Sequence, residues 1–175
     1  MTAIDARVTA AAGGDRRAAE SLCRELLPRV RNLVRYLVRG DARVDDIAQE
    51  ALIAVLRGLR TYRGEGRFEA WVDRIVARSA FATLRRIRAE TQPGAQDVAE
   101  RERDPVESSP YEERRELAAA LDRLPPDQRQ ALIMHFSVGM TVPEIAEAVA
   151  APFETVRSRL RLAKAALRDT LKGAA

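Results

Sequence analysis

Arg157, Arg161, Lys164 and Arg168 recur at i, i+4, i+7 and i+11. At about 100° per residue this spacing puts all of them on one flank of a helix, with Glu154, Thr155 and Ser158 near its start. Cations along such a helix meet phosphates, and polar side chains near its N-terminal end can read base edges in a major groove. Upstream, Arg63 and Arg67 bracket Gly64-Glu65-Gly66, and Arg74, Arg78 and Arg85 share a second helical stripe with Trp71 at its edge and Phe68 one turn before. Cations for the backbone and a ring for stacking suit unpaired nucleic acid. Each group also has a plainer reading. A basic stripe describes any solvated face, and a lone helical Trp is more often packed against its neighbours, here Val72 and Ile75, than stacked on a base.

Other chemistry is poorly supplied. With one Cys (Cys23) and one His (His135) in 175 residues, the chain cannot build a disulfide framework, a Cys/His zinc site or a Cys/His catalytic pair. No metal, cofactor or small-molecule substrate is therefore expected, and the Gly64-Glu65-Gly66 run is too short for a phosphate loop. No stretch reaches the ~18 apolar residues of a membrane helix, and the N-terminus has no apolar core behind a basic start, so the expected location is cytoplasmic. The chain is 46% hydrophobic but only 5% aromatic, which favours an aliphatic all-α protein. Its net charge of +4 is unevenly placed: +7 over residues 1–88, −5 over 89–116 and +2 over 117–175.

The elements that must position these groups follow from periodicity and punctuation. Residues 89–111 are rich in Pro, Ser and charge and poor in large apolar side chains, and read as a flexible acidic linker between two small helical domains, 1–88 and 112–175. In the first domain Leu22, Leu26, Val30, Leu33 and Leu37 mark a helix that Pro28 is expected to kink or restart. A helix over about Asp41–Leu59 buries Ile47, Ala48, Ala51, Leu52, Val55 and Leu59, and turns Asp46, Gln49, Glu50, Ile53 and Arg57 outward. A third, about Phe68–Arg86, is expected to turn Phe68, Val72, Ile75, Val76, Ser79 and Thr83 inward. In the second domain a helix stops at Pro125-Pro126, another runs to Phe136, and Thr141-Val142-Pro143-Glu144 fits a capping box opening a short helix to about Val149. A last helix, Phe153–Leu171, buries Val156, Leu160, Ala163, Leu167 and Leu171. Short helix, tight turn and longer helix form a helix-turn-helix.

Two blocks resemble a known family. Asp45–Arg86 is similar to the second conserved region of bacterial RNA polymerase sigma factors of the extracytoplasmic-function (ECF) group, sigma-70 family. Leu124–Leu167 resembles the fourth region of the same group, and the blocks come in the family's order. The resemblance implies a transcription initiation factor that is not itself an enzyme. Its partners would be core RNA polymerase, through the largest and second-largest subunits, promoter DNA as duplex and as single strand, and an anti-sigma protein, free or membrane-bound. On matching positions, Asp46, Gln49, Glu50, Ile53 and Arg57 would grip polymerase. Arg63, Arg67, Phe68, Trp71, Arg74, Arg78 and Arg85 would hold the minus-ten strand, and Glu154, Thr155, Arg157, Ser158, Arg161 and Lys164 would read the minus-thirty-five duplex. The chain departs from the family at Ser79, Thr83 and Leu162, where Asn, Asp and Arg are common, and Ala150 replaces a usual turn glycine.

Rival readings are a helix-turn-helix regulator that binds duplex without polymerase, and a helical decoy that reads no DNA. The first lacks any use for the Asp45–Arg86 block; the second would be indifferent to loss of Arg157 and Arg161.

Overall fold

Residues 6–38, 43–90 and 119–172 are described by a computed structural model, and every regular element among them is helical. The chain divides into two units, Met1–Asp97 and Val98–Ala175. The all-α architecture in two parts agrees with the sequence, while residues 91–111 of the expected linker lie outside the described residues.

In the first unit, α1 (Ala6–Ala12) buries Val8, and α2 (Arg16–Leu37) starts at Asp15, whose carboxylate accepts the Ala18 N–H at 2.9 Å. That contact satisfies one of the free amides of a helix start. α2 buries Leu22, Leu26, Val30, Val34 and Leu37. It does not restart at Pro28. The helix runs through it, and because Arg24 and Pro28 are both exposed, water can replace the donor that proline lacks. α3 (Val44–Gly58) and a 3-10 turn (Leu59–Thr61) bury Ile47, Ala48, Ala51, Leu52, Val55 and Leu59, the face the periodicity gave.

α4 (Phe68–Glu90) departs from expectation twice. It continues four residues past Arg86 and takes Ala89 and Glu90 from the stretch read as linker, since no Gly or Pro interrupts it there. Its buried face is also wider and rotated: Val72, Asp73, Val76, Ala77, Ala80, Phe81, Thr83 and Leu84 are buried, while Phe68, Ile75 and Ser79 are only half-buried. Asp73 goes inward because Arg29 of α2 meets it with two hydrogen bonds, Nε to Oδ1 at 2.8 Å and Nη2 to Oδ2 at 2.5 Å. A buried carboxylate is tolerated when paired in this way.

In the second unit, residues 119–122 are helical and lead through Leu124 into α5 (Pro126–Phe136). Pro125 lies outside the helix, but Pro126 opens α5 rather than closing the preceding helix, because a first-turn position needs no amide donor. α6 (Val142–Val149) and α7 (Phe153–Lys172) follow. Leu124, Leu132 and Ala163 pack together with Leu121, Ala166 and Leu167, and Met134, Met140, Ile145 and Val156 are fully buried. Of the expected inward face of α7, Val156, Leu160 and Ala163 are buried and Leu167 half-buried, and the Leu171 side chain lies outside the described residues.

Candidate nucleic-acid interface

The helix-turn-helix is set by two local devices. The Thr141 hydroxyl accepts the Glu144 N–H at 3.4 Å while a Glu144 carboxylate oxygen accepts the Thr141 N–H at 2.8 Å, which completes the capping box and fixes where α6 begins. At its other end Ala150 takes φ 52° and ψ 48°, among the described residues the only non-glycine with positive φ. Backbone bonds close this turn, with Ala151 N–H donating to the Ala146 carbonyl at 3.0 Å. Pro152 then leads directly into α7.

On α7, Glu154, Arg157, Ser158, Arg161, Lys164 and Arg168 are all exposed, and Thr155 is half-buried. A cleft lined by Glu154, Arg157, Ser158, Arg161, Lys164 and His135 opens along this flank. Glu154 lies 3.7 Å from the Arg157 guanidinium, a loose pair that leaves both groups able to turn to another partner. Leu162 is exposed at 43%, on the far side of Ser158 from the arginines. Arg159, which sequence reasoning left out, is tied to Asp127 of α5 and so serves the fold.

In the first unit the loop between the 3-10 turn and α4 needs glycine twice, with φ 73° at Gly64 and 78° at Gly66. The Tyr62 hydroxyl donates to the Gly66 carbonyl at 3.1 Å and closes the loop. Arg63 and Arg67 are exposed on it, and Glu69 lies 3.6 Å from Arg67. Arg74, Arg78 and Arg85 are exposed along α4 as their spacing required. Trp71 is half-buried, with its indole and the Ile75 side chain both against Gly58. Its ring stacks on Phe68 at 5.7 Å and meets Tyr62 at 5.2 Å, and Tyr62 and Phe68 are themselves 5.2 Å apart. The three rings form one cluster beside the arginine loop. Sequence reasoning missed Tyr62, although an aromatic residue between the 3-10 turn and the glycines was the available signal.

The outward face of α3 carries Asp46, Gln49, Ile53 and Arg57 in solvent, with Ile53 exposed at 40%. Glu50 is half-buried and engaged by α4: the Thr83 hydroxyl donates to one carboxylate oxygen at 2.6 Å and Arg86 to the other. These two bonds, Thr83's first, hold its carboxyl below the ordinary range. Burial pushes the Cys23 thiol up, as for a small packed hydrophobe, and at the α7 cleft His135 Nδ1 donates to the Met140 carbonyl at 2.9 Å. No described helix is long and apolar enough to cross a membrane.

A capped helix-turn-helix with an exposed cationic second helix, in a chain whose other unit carries a cationic and aromatic loop, defines a nucleic-acid-binding protein of the transcription class. The sequence matches the family descriptions "Sigma-70 region 2" over residues 22–90 and "Sigma-70, region 4" over residues 114–167. It is 34% identical over 169 residues to the ECF RNA polymerase sigma factor SigE of Mycolicibacterium smegmatis, in an alignment covering 91% of this chain and 65% of that protein. It is 30% identical over 166 residues to SigM of Mycobacterium tuberculosis, covering 93% and 82%, and 31% identical over 169 residues to the sigma-E factor of Escherichia coli K12, covering 88% and 86%. Among solved structures, the sigma factor RpoE of Bartonella quintana, in complex with the anti-sigma factor NepR, has a TM-score of 0.54 at 21% identity over 87% of this chain and 96% of that one. CnrH, in complex with the cytosolic domain of CnrY, has a TM-score of 0.50 at 21% identity over 97% of each chain. These two share the fold. The chain belongs to the ECF group of RNA polymerase sigma factors, as the resemblance of its two blocks implied.

Proposed function

We propose that the protein is an alternative sigma factor that binds core RNA polymerase through the outward face of α3 and reads a promoter with both units. Asp46, Gln49, Glu50, Ile53 and Arg57 meet the largest subunit. Ile53 supports this reading, because an exposed isoleucine between a carboxylate, an amide and a guanidinium gains most from a partner that covers it. The second-largest subunit is the further contact. Residues 1–90 act as region 2 and 112–175 as region 4, joined by 91–111.

α7 reads the minus-thirty-five duplex with Glu154, Thr155, Arg157, Ser158, Arg161 and Lys164. Arg63, Arg67, Phe68, Trp71, Arg74, Arg78 and Arg85 hold the unpaired minus-ten strand, the rings stacking bases and the cations meeting phosphates. Strand opening follows from differential affinity: a surface that binds the single strand better than the duplex offsets the unpairing cost. The protein is not the enzyme but its specificity subunit, working where polymerase works, in the cytoplasm. An anti-sigma protein, free or membrane-bound, masks the same helical faces when the factor is idle.

The observation that carries this reading is the exposure of Glu154, Arg157, Ser158, Arg161 and Lys164 on α7, behind a complete capping box on α6. It is tested by capture of purified core RNA polymerase, comparing the intact chain with Asp46→Arg plus Gln49→Ala. The intact chain is expected to bind and the variant to lose at least tenfold in affinity, with run-off transcription lost in parallel. Failure of the folded, intact chain to bind core polymerase overturns the proposal and favours a free helix-turn-helix regulator.

A further inference from the structure

Phe136 ends α5 and, at 58%, is the most exposed large apolar side chain among the described residues. Its surroundings set it apart from an incidental surface phenylalanine. The Lys164 ammonium sits over its ring, 4.8 Å from the centroid. The His135 ring meets it edge-on, at 4.7 Å and 83°, and His135 is itself held by the Met140 carbonyl. His135 and Lys164 line the same cleft as Glu154, Arg157, Ser158 and Arg161. One cation of the α7 flank therefore rests on an aromatic platform that is buttressed from a different helix.

We propose that Phe136 is a positioning residue of the duplex-reading surface: its ring face holds the Lys164 ammonium at the wall of that cleft, ready for a DNA phosphate. The inference rests on the reading of α7 as a duplex-binding helix. A lysine in free solvent spreads over many rotamers and loses that freedom when it meets a phosphate. A lysine already restrained on a ring has lost part of it beforehand, so less of the contact energy is consumed on binding. The attraction is to the negative face of the ring, which an aliphatic side chain of similar volume lacks. A charged phosphate is the stronger partner, so the ammonium passes from ring to DNA rather than being withheld from it.

The experiment measures binding of the full chain to a fluorescein-labelled, mixed-sequence duplex DNA across a salt series. The chains compared are wild type, Phe136→Leu, Phe136→Tyr, Lys164→Met, the Phe136→Leu plus Lys164→Met double variant, and Arg157→Ala. Phe136→Leu is expected to weaken binding about two- to five-fold, Phe136→Tyr to restore it, and Phe136→Leu to have no further effect once Lys164 is gone. Lys164→Met is expected to reduce the salt slope by about 0.9, whereas Phe136→Leu leaves the slope unchanged. If Phe136→Leu binds like wild type while Arg157→Ala and Lys164→Met do not, the proposal fails and the duplex-binding reading stands. An equal loss from Phe136→Leu with and without Lys164 also overturns it. If Arg157→Ala, Lys164→Met and Phe136→Leu all bind like wild type, the reading of α7 fails first and takes the proposal with it.

Discussion

Ala150 offers a direct test of how the helix-turn-helix is built. Its φ of 52° and ψ of 48° put it in the left-handed region, where the Cβ of an L residue crowds the following carbonyl at a cost of about 1 to 2 kcal/mol. Glycine removes that crowding but gives up about 0.5 to 1 kcal/mol more conformational freedom on folding. Ala150 is exposed, and the bonds that close the turn are backbone to backbone, so the substitution removes no packing and no hydrogen bond. Ala150→Gly is therefore expected to stabilise the second unit by about 0.5 to 1 kcal/mol, or about 2 to 8 °C in its melting midpoint. Calorimetry of the full chain reads this in the transition of the second unit, and the first unit should not move. Gly139→Ala is the reverse control. Gly139 has φ 74° and nothing within 4 Å of an added Cβ, so its cost is conformational alone and its midpoint should fall. A lowered or unmoved midpoint for Ala150→Gly beside a lowered one for Gly139→Ala would show that residue 150 does not keep the left-handed turn in solution.

Two further predictions concern the first unit. Arg29→Met strands the buried Asp73 carboxylate, which is 7% exposed; because the Arg29 side chain is 46% exposed, the loss should be about 2 kcal/mol, short of the ~3–5 of a fully buried pair. Urea unfolding of the first unit measures it, and an unchanged midpoint would mean that water replaces the guanidinium without cost. Glu50 is held below its ordinary 4.5 by Thr83 and then Arg86, and a depressed carboxyl stabilises the fold above its unfolded value and loses that contribution as pH falls through the folded value. The stability of the wild type should therefore decline more steeply below about pH 4.5 than that of Glu50→Gln. Parallel declines in urea midpoint with pH would refute the coupling.

How much could be read in advance differs from helix to helix. Both faces of α3 were legible because its apolar residues keep the helical period and its charges avoid that side. α4 was not. Ala77 and Ala80 carry little hydrophobic signal, and Asp73 reads as outward until Arg29, distant in sequence, arrives to neutralise it. Arg129, 4% exposed and 3.4 Å from Asp122, also escaped, because an arginine in a sequence reads as outward whatever partner the fold brings to it. The apolar run of α5 looks buried on every side, so nothing marked Phe136 as the residue left in solvent where the helix ends. Periodicity records a side chain's own preference; pairings between distant helices and the ends of elements are settled by tertiary structure.

The packing of Trp71 is set on the same ground. Its indole lies over Gly58 and packs against Tyr62 and Phe68, and it is half-buried there beside the arginine loop. A side chain at position 58 would meet Ile75 Cδ1 at 3.1 Å, too close unless Ile75 shifts, and would touch the indole at 3.4 Å. Conformation does not demand this glycine, whose φ of −77° any residue adopts. The need is for space. Ile53 and Arg57 point outward from the same helix. One helix therefore supports the rings on one side and presents the proposed polymerase grip on the other, and the two roles are separable: substitutions at 46 and 49 touch only the grip, and a side chain at 58 meets Ile75 and then the indole.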